Sequence, residues 1–298
     1  MLRTRLIAAA AIILPVLAIF WLDVNANFGF PGIWLLLLTV ILGLLITAEL
    51  RGLLREHTPG VAGWVVFSGT TLTIVSVAIP EAFSLPPDCP VGRWGWSSLA
   101  LGTTLALAFL AEMWSFDKDR QSSIRISLAV LVVMYSGWLL SFLMATRLFL
   151  ENQWGAVAVF SAVLIIKMSD TGAYFAGKQF GRTKLVPRLS PGKTVEGFVG
   201  GLVAALFAGW LMFDQILPIA IPDAPRIPWW ASGGYAVSLA VLGVFGDLCE
   251  SLLKRDMERK DSSGWLPGLG GVMDVFDSVL LAAPVTFMWW TTGWLGGL

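Results

Sequence analysis

The sequence predicts an all-α, polytopic transmembrane protein of about nine spans, with a cytoplasmic N-terminus and its chemistry at the cytoplasmic membrane interface. Three observations carry this expectation. Of the 298 residues, 56% are hydrophobic and only 13% charged, with a mean hydropathy of +0.77, whereas a soluble domain carries roughly 25% charged residues. Nine apolar stretches approach the roughly 20 residues with which a helix crosses a bilayer. The basic residues between those stretches collect on one side.

Leu6–Leu22 follows Arg3 and Arg5 and resembles a signal peptide. It lacks a small-x-small cleavage site and more spans follow, so a retained first helix is expected. Ile33–Ala48, Val61–Ile79, Ser97–Ala111 and Ile126–Thr146 complete an N-terminal span bundle over residues 1–150. A second domain, 151–298, begins with Trp154–Ile166, which is short, so its helix is expected to run on into the polar segment after it. Phe198–Phe213, Ala231–Gly246 and Val279–Leu298 finish that domain. Trp21, Trp96, Trp114, Trp154 and Trp230 fall near span ends, where an interfacial belt places them.

With nine alternating spans, all 20 Lys and Arg except Arg93, Arg147 and Arg226 lie on the side of the N-terminus. The positive-inside rule makes that side cytoplasmic. The formal net charge is zero, which gives no reason to expect a nucleic-acid partner. Two distant cysteines and a single histidine supply neither a zinc site nor a histidine-based triad. None of the nine stretches has an ionisable residue at its centre, which disfavours an ion-coupled transporter.

The early loops, "ELRGLLREH" (Glu49–His57) and "FDKDRQSSIR" (Phe116–Arg125), read as ordinary anchoring loops. Two later loops, 167–201 and 247–278, carry pattern. In the first, Lys167, Asp170, Thr171 and Tyr174 share one helical face, and Gly172, Gly177 and Gly181 would let a ligand approach the backbone. Ser190-Pro191 reads as a helix start that places Lys193 in an anion-favouring first turn. Gly192-Lys193-Thr194 is not a P-loop, because Pro187 stands where that motif needs glycine.

In the second loop, Asp247, Glu250, Ser251 and Lys254 form a stripe, and Gly270-Gly271 is suited to an anion-binding nest of amides. Asp274 and Asp277, one helical turn apart, offer hard oxygen donors near Asp247 that suit Mg²⁺ together with substrate phosphates. The plainer alternative is a solvated loop in which Asp274 or Asp277 is a helix cap.

These loops resemble the CDP-diacylglycerol synthases, or phosphatidate cytidylyltransferases. The resemblance rests on Asp170, Ala173, Tyr174, Phe175 and Gly177, then Ser190, Pro191, Lys193, Thr194, Glu196 and Gly197. It continues with Gly246-Asp247-Leu248, Ser251, Lys254, Arg255, Lys260, Asp261, Pro267, Gly268, Gly270, Gly271, Asp274, Asp277 and Ser278. Leu269 and Val275 stand where the family has histidine and arginine, and neither can act as a base or clamp a phosphate.

The resemblance implies transfer of the cytidylyl group of CTP to phosphatidate, with Mg²⁺ and room for a second cation. It implies catalytic roles for Asp247, Lys254, Arg255, Lys260, Asp261, Asp274 and Asp277, the metal falling to Asp247, Asp274 and Asp277. Asp170, Tyr174, Ser190, Lys193, Thr194, Glu196, Ser251, Gly270 and Gly271 are implied to bind substrate. A homodimer in the cell membrane, with its active site facing the cytoplasm, is the implied setting. The alternatives are a CTP-dependent lipid kinase of the polyprenol or phytol type, and a family member that has lost activity. A CDP-alcohol phosphotransferase is disfavoured, since Asp274-x-x-Asp277 continues Ser278-Val279 rather than with glycine.

Overall fold

The computed structural model describes residues 2–86, 89–116, 121–150, 152–266 and 270–296. Pro267, Gly268 and Leu269, three positions of the family pattern, lie outside the described residues, as do Lys118 and Arg120. Each of the nine apolar stretches is helical over most of its described residues, the last of them only as far as Thr291. Seven helices among the described residues are long and apolar enough to cross a membrane by length and composition.

The chain divides into two compact units, Met1–Ala145 with Asp261–Val275, and Thr146–Lys260 with Phe276–Leu298. The sequence assigned 261–275 to the second domain; the structure packs it with the first.

The first unit contains α1 (Leu2–Asn25), α2 (Ile33–Arg55), α3 (Gly63–Ser76), the single turn α4 (Ile79–Ala82), α5 (Gly92–Trp114) and α6 (Ser122–Val133). A π-helical turn, Met134–Trp138, leads into α7 (Leu139–Phe149). With 14 residues, α3 rises only about 21 Å, short of the roughly 30 Å hydrocarbon core. It packs on α5, α2 and the π-helical turn. At that junction Thr47 of α2, Thr70 of α3 and Ser136 of the π turn join their buried hydroxyls at 2.7–3.1 Å, the polar glue that small hydroxyl residues supply between apolar helices. Asp23, fully buried near the end of α1, accepts from the amides of Trp34 (3.0 Å) and Leu35 (3.1 Å) and so caps α2.

The second unit contains α8 (Asn152–Phe180), the hairpin β1 (Lys184–Val186) and β2 (Ser190–Thr194), and α9 (Val195–Trp210). A second π-helical segment, Leu211–Ile216, then leads through the turn α10 (Leu217–Ala220) to α11 (Trp229–Asp256) and α12 (Val272–Thr291), whose first residues belong to the first unit. As expected from its short apolar run, α8 continues through the polar segment to Phe180.

Two local expectations are corrected. Ser190-Pro191 does not start a helix. It lies in β2, which pairs antiparallel with β1, and the cap passes to Thr194, whose hydroxyl accepts from the Gly197 amide at 3.1 Å. Lys193 therefore sits on a strand and not in a first helical turn. The glycines of α8 also serve packing and not ligand approach. A side chain at Gly172 would run into Ala204 and the Gly200 carbonyl of α9, and one at Gly177 would meet the Thr194 hydroxyl at 3.1 Å. Helix-to-helix contact explains them.

Candidate carboxylate and lysine centre

Where α8, α11 and α12 meet in the second unit, the sequence removes side chains to let backbones close. A Cβ at Gly246 would strike the Asp277 carbonyl and lie 3.1 Å from the Ser278 Cα. A Cβ at Gly243 would lie 3.6 Å from the side chains of Ile166 and Ser278. The close approach of α12 to α11 delivers Asp277 to the α11 stripe that the i, i+3, i+4 spacing laid out.

Asp247, Glu250 and Asp277 each present an oxygen within 4.8 Å of the others. Glu250 is 1% exposed and Asp277 5%; Asp247 is half-buried. Asp277 accepts from the amide and hydroxyl of Ser278. Lys193, reaching from β2, meets Asp247 at 2.8 Å and also donates to the Val244 carbonyl at 3.1 Å. Lys254, buried one turn along α11, pairs with Glu250 at 2.9 Å. Ser251 donates to Asp247 at 3.3 Å. From α8, Lys167 pairs with Asp170 at 3.0 Å, and Ser278 reaches Asp170 at 3.5 Å.

Four carboxylates and three ammonium groups thus share a region in which Glu250, Lys254 and Asp277 are buried and Lys167, Asp170, Lys193 and Asp247 are partly exposed. Like charges this close in a low-dielectric surround repel strongly. Three hard oxygen donors converging at the head of a helix pair form a donor set that fits Mg²⁺.

The remaining expected residues are more dispersed. Tyr174 is exposed on α8, edge-on to Phe175 and 5.8 Å from the Lys178 ammonium. Arg255 points away from Lys254, towards the Leu189 and Arg259 carbonyls. Glu196 accepts from the amides of Arg182 and Thr183, both at 3.1 Å, and ties α9 to the entry of the hairpin. Lys260 and Asp261 are solvent-exposed.

Within the first unit, Asp274 and the glycine turn form an assembly of their own. One oxygen of Asp274 accepts from the Ser262 amide (3.0 Å), the Ser262 hydroxyl (2.9 Å) and the Gly271 amide (2.6 Å). Leu266 and Gly270 bond to each other through both backbone groups. The amides expected to form an anion nest are therefore occupied by the chain itself, with Asp274 as the anion. The geometry gives Asp274 the capping role that the sequence offered as the plainer alternative, and Asp274 is not one of the converging trio.

Beside it, Glu49 of α2 accepts from Ser262, Ser263, Val272 and Met273. Sequence reasoning missed Glu49, which it read as part of an anchoring loop. It placed Glu250 on the α11 stripe with Asp247 and did not name it as a candidate ligand, although its spacing from Asp247 was the available signal.

The helices define the class, a polytopic helical membrane protein with a polar carboxylate and lysine centre. Within that class the chain belongs to the cytidylyltransferase family, whose model matches residues 3–292. It is 30% identical to the phosphatidate cytidylyltransferase of Staphylococcus haemolyticus over 255 residues, 85% of this chain and 88% of that one. It is 30% identical over 257 residues to the Staphylococcus aureus protein of the same name, with the same coverage. The Bacillus subtilis phosphatidate cytidylyltransferase is 42% identical over 136 residues, which span 46% of this chain and about half (48%) of that protein.

Proposed function

We infer that this chain transfers the cytidylyl group of CTP to phosphatidate, giving CDP-diacylglycerol and pyrophosphate. The observation that carries this reading is the trio Asp247, Glu250 and Asp277, converging within 4.8 Å and flanked by Lys193 and Lys254. A phosphatidate oxygen forms a bond to the α-phosphorus of CTP while the bond from that phosphorus to the oxygen leading to the β-phosphate breaks, and pyrophosphate leaves with the electron pair. The attacking group is a phosphate monoester with a second pKa of roughly 6. It is largely a dianion already and needs no general base, so Leu269 and Val275 do not preclude the step. Catalysis of this kind rests on positioning and charge neutralisation.

Asp247, Glu250 and Asp277 would hold Mg²⁺, which, when bound, supplies neutralisation of phosphate charge. Lys193 and Lys254 pair with Asp247 and Glu250 and would present ammonium groups to phosphate oxygens. Ser251 and Ser278 orient Asp247 and Asp277. Asp274 and Glu49 act at one remove, by fixing the turn that starts α12.

The same reading places the chain in the cell membrane with nine spans and its carboxylate centre facing the cytoplasm. A homodimer is the assembly that the family resemblance suggests. The experiment is incubation of the purified protein in detergent with radiolabelled CTP, Mg²⁺ and phosphatidate. Lipid-soluble cytidine label with equimolar pyrophosphate is expected. Release of CDP instead would make the chain a lipid kinase, and no label at all would make it an inactive relative.

A further inference from the structure

The arginines that the sequence reads as generic anchors of two separate loops come together in the first unit. Arg51 and Arg55, from the last turns of α2, and Arg125, from the start of α6, line one polar cavity of about 480 Å³. Two of the guanidinium groups are held by hydrogen bonds, and Arg55 is exposed. Arg51 donates to the Val61 carbonyl at 3.2 Å, and Arg125 bonds Glu112 at 2.8 Å and Ser122 at 3.4 Å. Among the described lining residues, three guanidinium groups stand with one carboxylate, Glu112.

Glu112 also lines a second, apolar groove of about 420 Å³ between the end of α5 and the start of α6, whose wall includes Phe109, Met113 and Ile126. Phe109 and Met113 are 50% and 70% exposed. A cationic cavity joined to an apolar groove at the end of membrane-length helices is complementary to an amphiphile with an anionic head. Snorkelling or positive-inside anchoring accounts for single arginines, but not for three converging from the ends of two helices beside a groove.

We propose that Arg51, Arg55 and Arg125 bind the phosphate of an anionic phospholipid whose acyl chain lies in the groove along Phe109, Met113 and Ile126. This site is built entirely from the first unit and does not depend on the carboxylate trio.

The test uses the full-length protein in phosphatidylcholine nanodiscs containing phosphatidate with a diazirine on its acyl chain. Irradiation is expected to label the groove residues, Phe109, Met113 and Ile126 among them. Arg55→Gln should cut labelling about fivefold, and Arg51→Gln with Arg55→Gln about thirtyfold, as expected for losing roughly 1 kcal/mol per basic residue. Should the double variant misfold, Arg55→Gln alone and Ser123→Trp decide, because Arg55 and Ser123 are solvent-exposed and the Trp fills the groove with the arginines intact. Asp277→Asn should leave labelling unchanged, which separates failure here from failure of the cytidylyl-transfer reading. Unchanged labelling in the arginine and Ser123 variants overturns the proposal. So does equal labelling by a diazirine phosphatidylcholine, or competition by millimolar inorganic phosphate, which would mark a site for a free anion.

Discussion

Glu49 on α2 accepts hydrogen bonds from the backbone amides of Val272 (2.8 Å) and Met273 (2.7 Å), 223 and 224 residues further along the chain. Those are first-turn amides of α12, which no preceding turn can satisfy. The same carboxylate takes the hydroxyls of Ser262 (3.1 Å) and Ser263 (2.6 Å) and is 3% exposed. One early residue therefore fixes both the loop before α12 and the start of the helix that carries Asp277.

Replacing Glu49 with Ala leaves buried amides without their acceptor, at a cost of about 1–3 kcal/mol for each unsatisfied group. Glu49→Ala is expected to lower the thermal midpoint in detergent, to speed proteolysis between Asp256 and Gly271, and to reduce turnover. Glu49→Gln retains one acceptor oxygen and should recover part of each loss. Equal stability in wild type and Glu49→Ala would show that the amides find other partners.

Asp274 and Asp277 lie one turn apart yet do different work, and their variants should separate. Asp277→Asn and Glu250→Gln remove a charge from the converging trio, so the Mg²⁺ concentration for half-maximal activity should rise about 10–100-fold, with lower maximal turnover. Asp274→Asn weakens the acceptor of Ser262 and Gly271, and should destabilise the turn while leaving the Mg²⁺ requirement near that of wild type. A Mg²⁺ titration of activity on each variant checks this. A raised requirement in Asp274→Asn would restore Asp274 to the metal set that the spacing first indicated.

The glycine turn gives a steric contrast. A Cβ at Gly271 would collide with the Ser262 hydroxyl and lie 2.6 Å from both Glu49 carboxylate oxygens, whereas one at Gly192 meets nothing within 4 Å. Gly271→Ala should cost about 2–4 kcal/mol, in the range of an overpacked buried site or one with broken hydrogen bonds. Gly192→Ala, in the exposed hairpin, should fall within about 0.5 kcal/mol of wild type. Denaturation midpoints in detergent, compared between the two variants, decide it.

What could be read from the sequence follows from how far each signal reaches along the chain. Helix existence is local: a run of apolar residues must bury its backbone polar groups, so each of the nine stretches carries a helix among its described residues. The α11 stripe is local as well, and Asp247, Ser251 and Lys254 share it because 3.6 residues make a turn. Helix starts are less legible. Ser190-Pro191 carries a sound capping signature, yet the hairpin claims it and Thr194, four residues on, caps α9 instead. Glu49 was illegible because its partners are set by tertiary contact across more than 200 residues, and a lone glutamate at a helix end carries no mark of that.

Orientation supplies the last prediction. The basic bias of the loops puts the β1–β2 hairpin in the cytoplasm and the turn between α10 and α11 outside. Gly192 and Asp223 are exposed in those two places and the only native cysteines are Cys89 and Cys249. In a Cys89→Ser, Cys249→Ser background, Gly192→Cys should react with a membrane-impermeant maleimide in inverted vesicles but not in intact cells. Asp223→Cys should show the reverse. Labelling of both from one side would require an even number of crossings between residues 192 and 223 and would break the nine-span alternation. Exchange of the two patterns would keep the alternation and turn the carboxylate centre to the outer face, where CTP is absent.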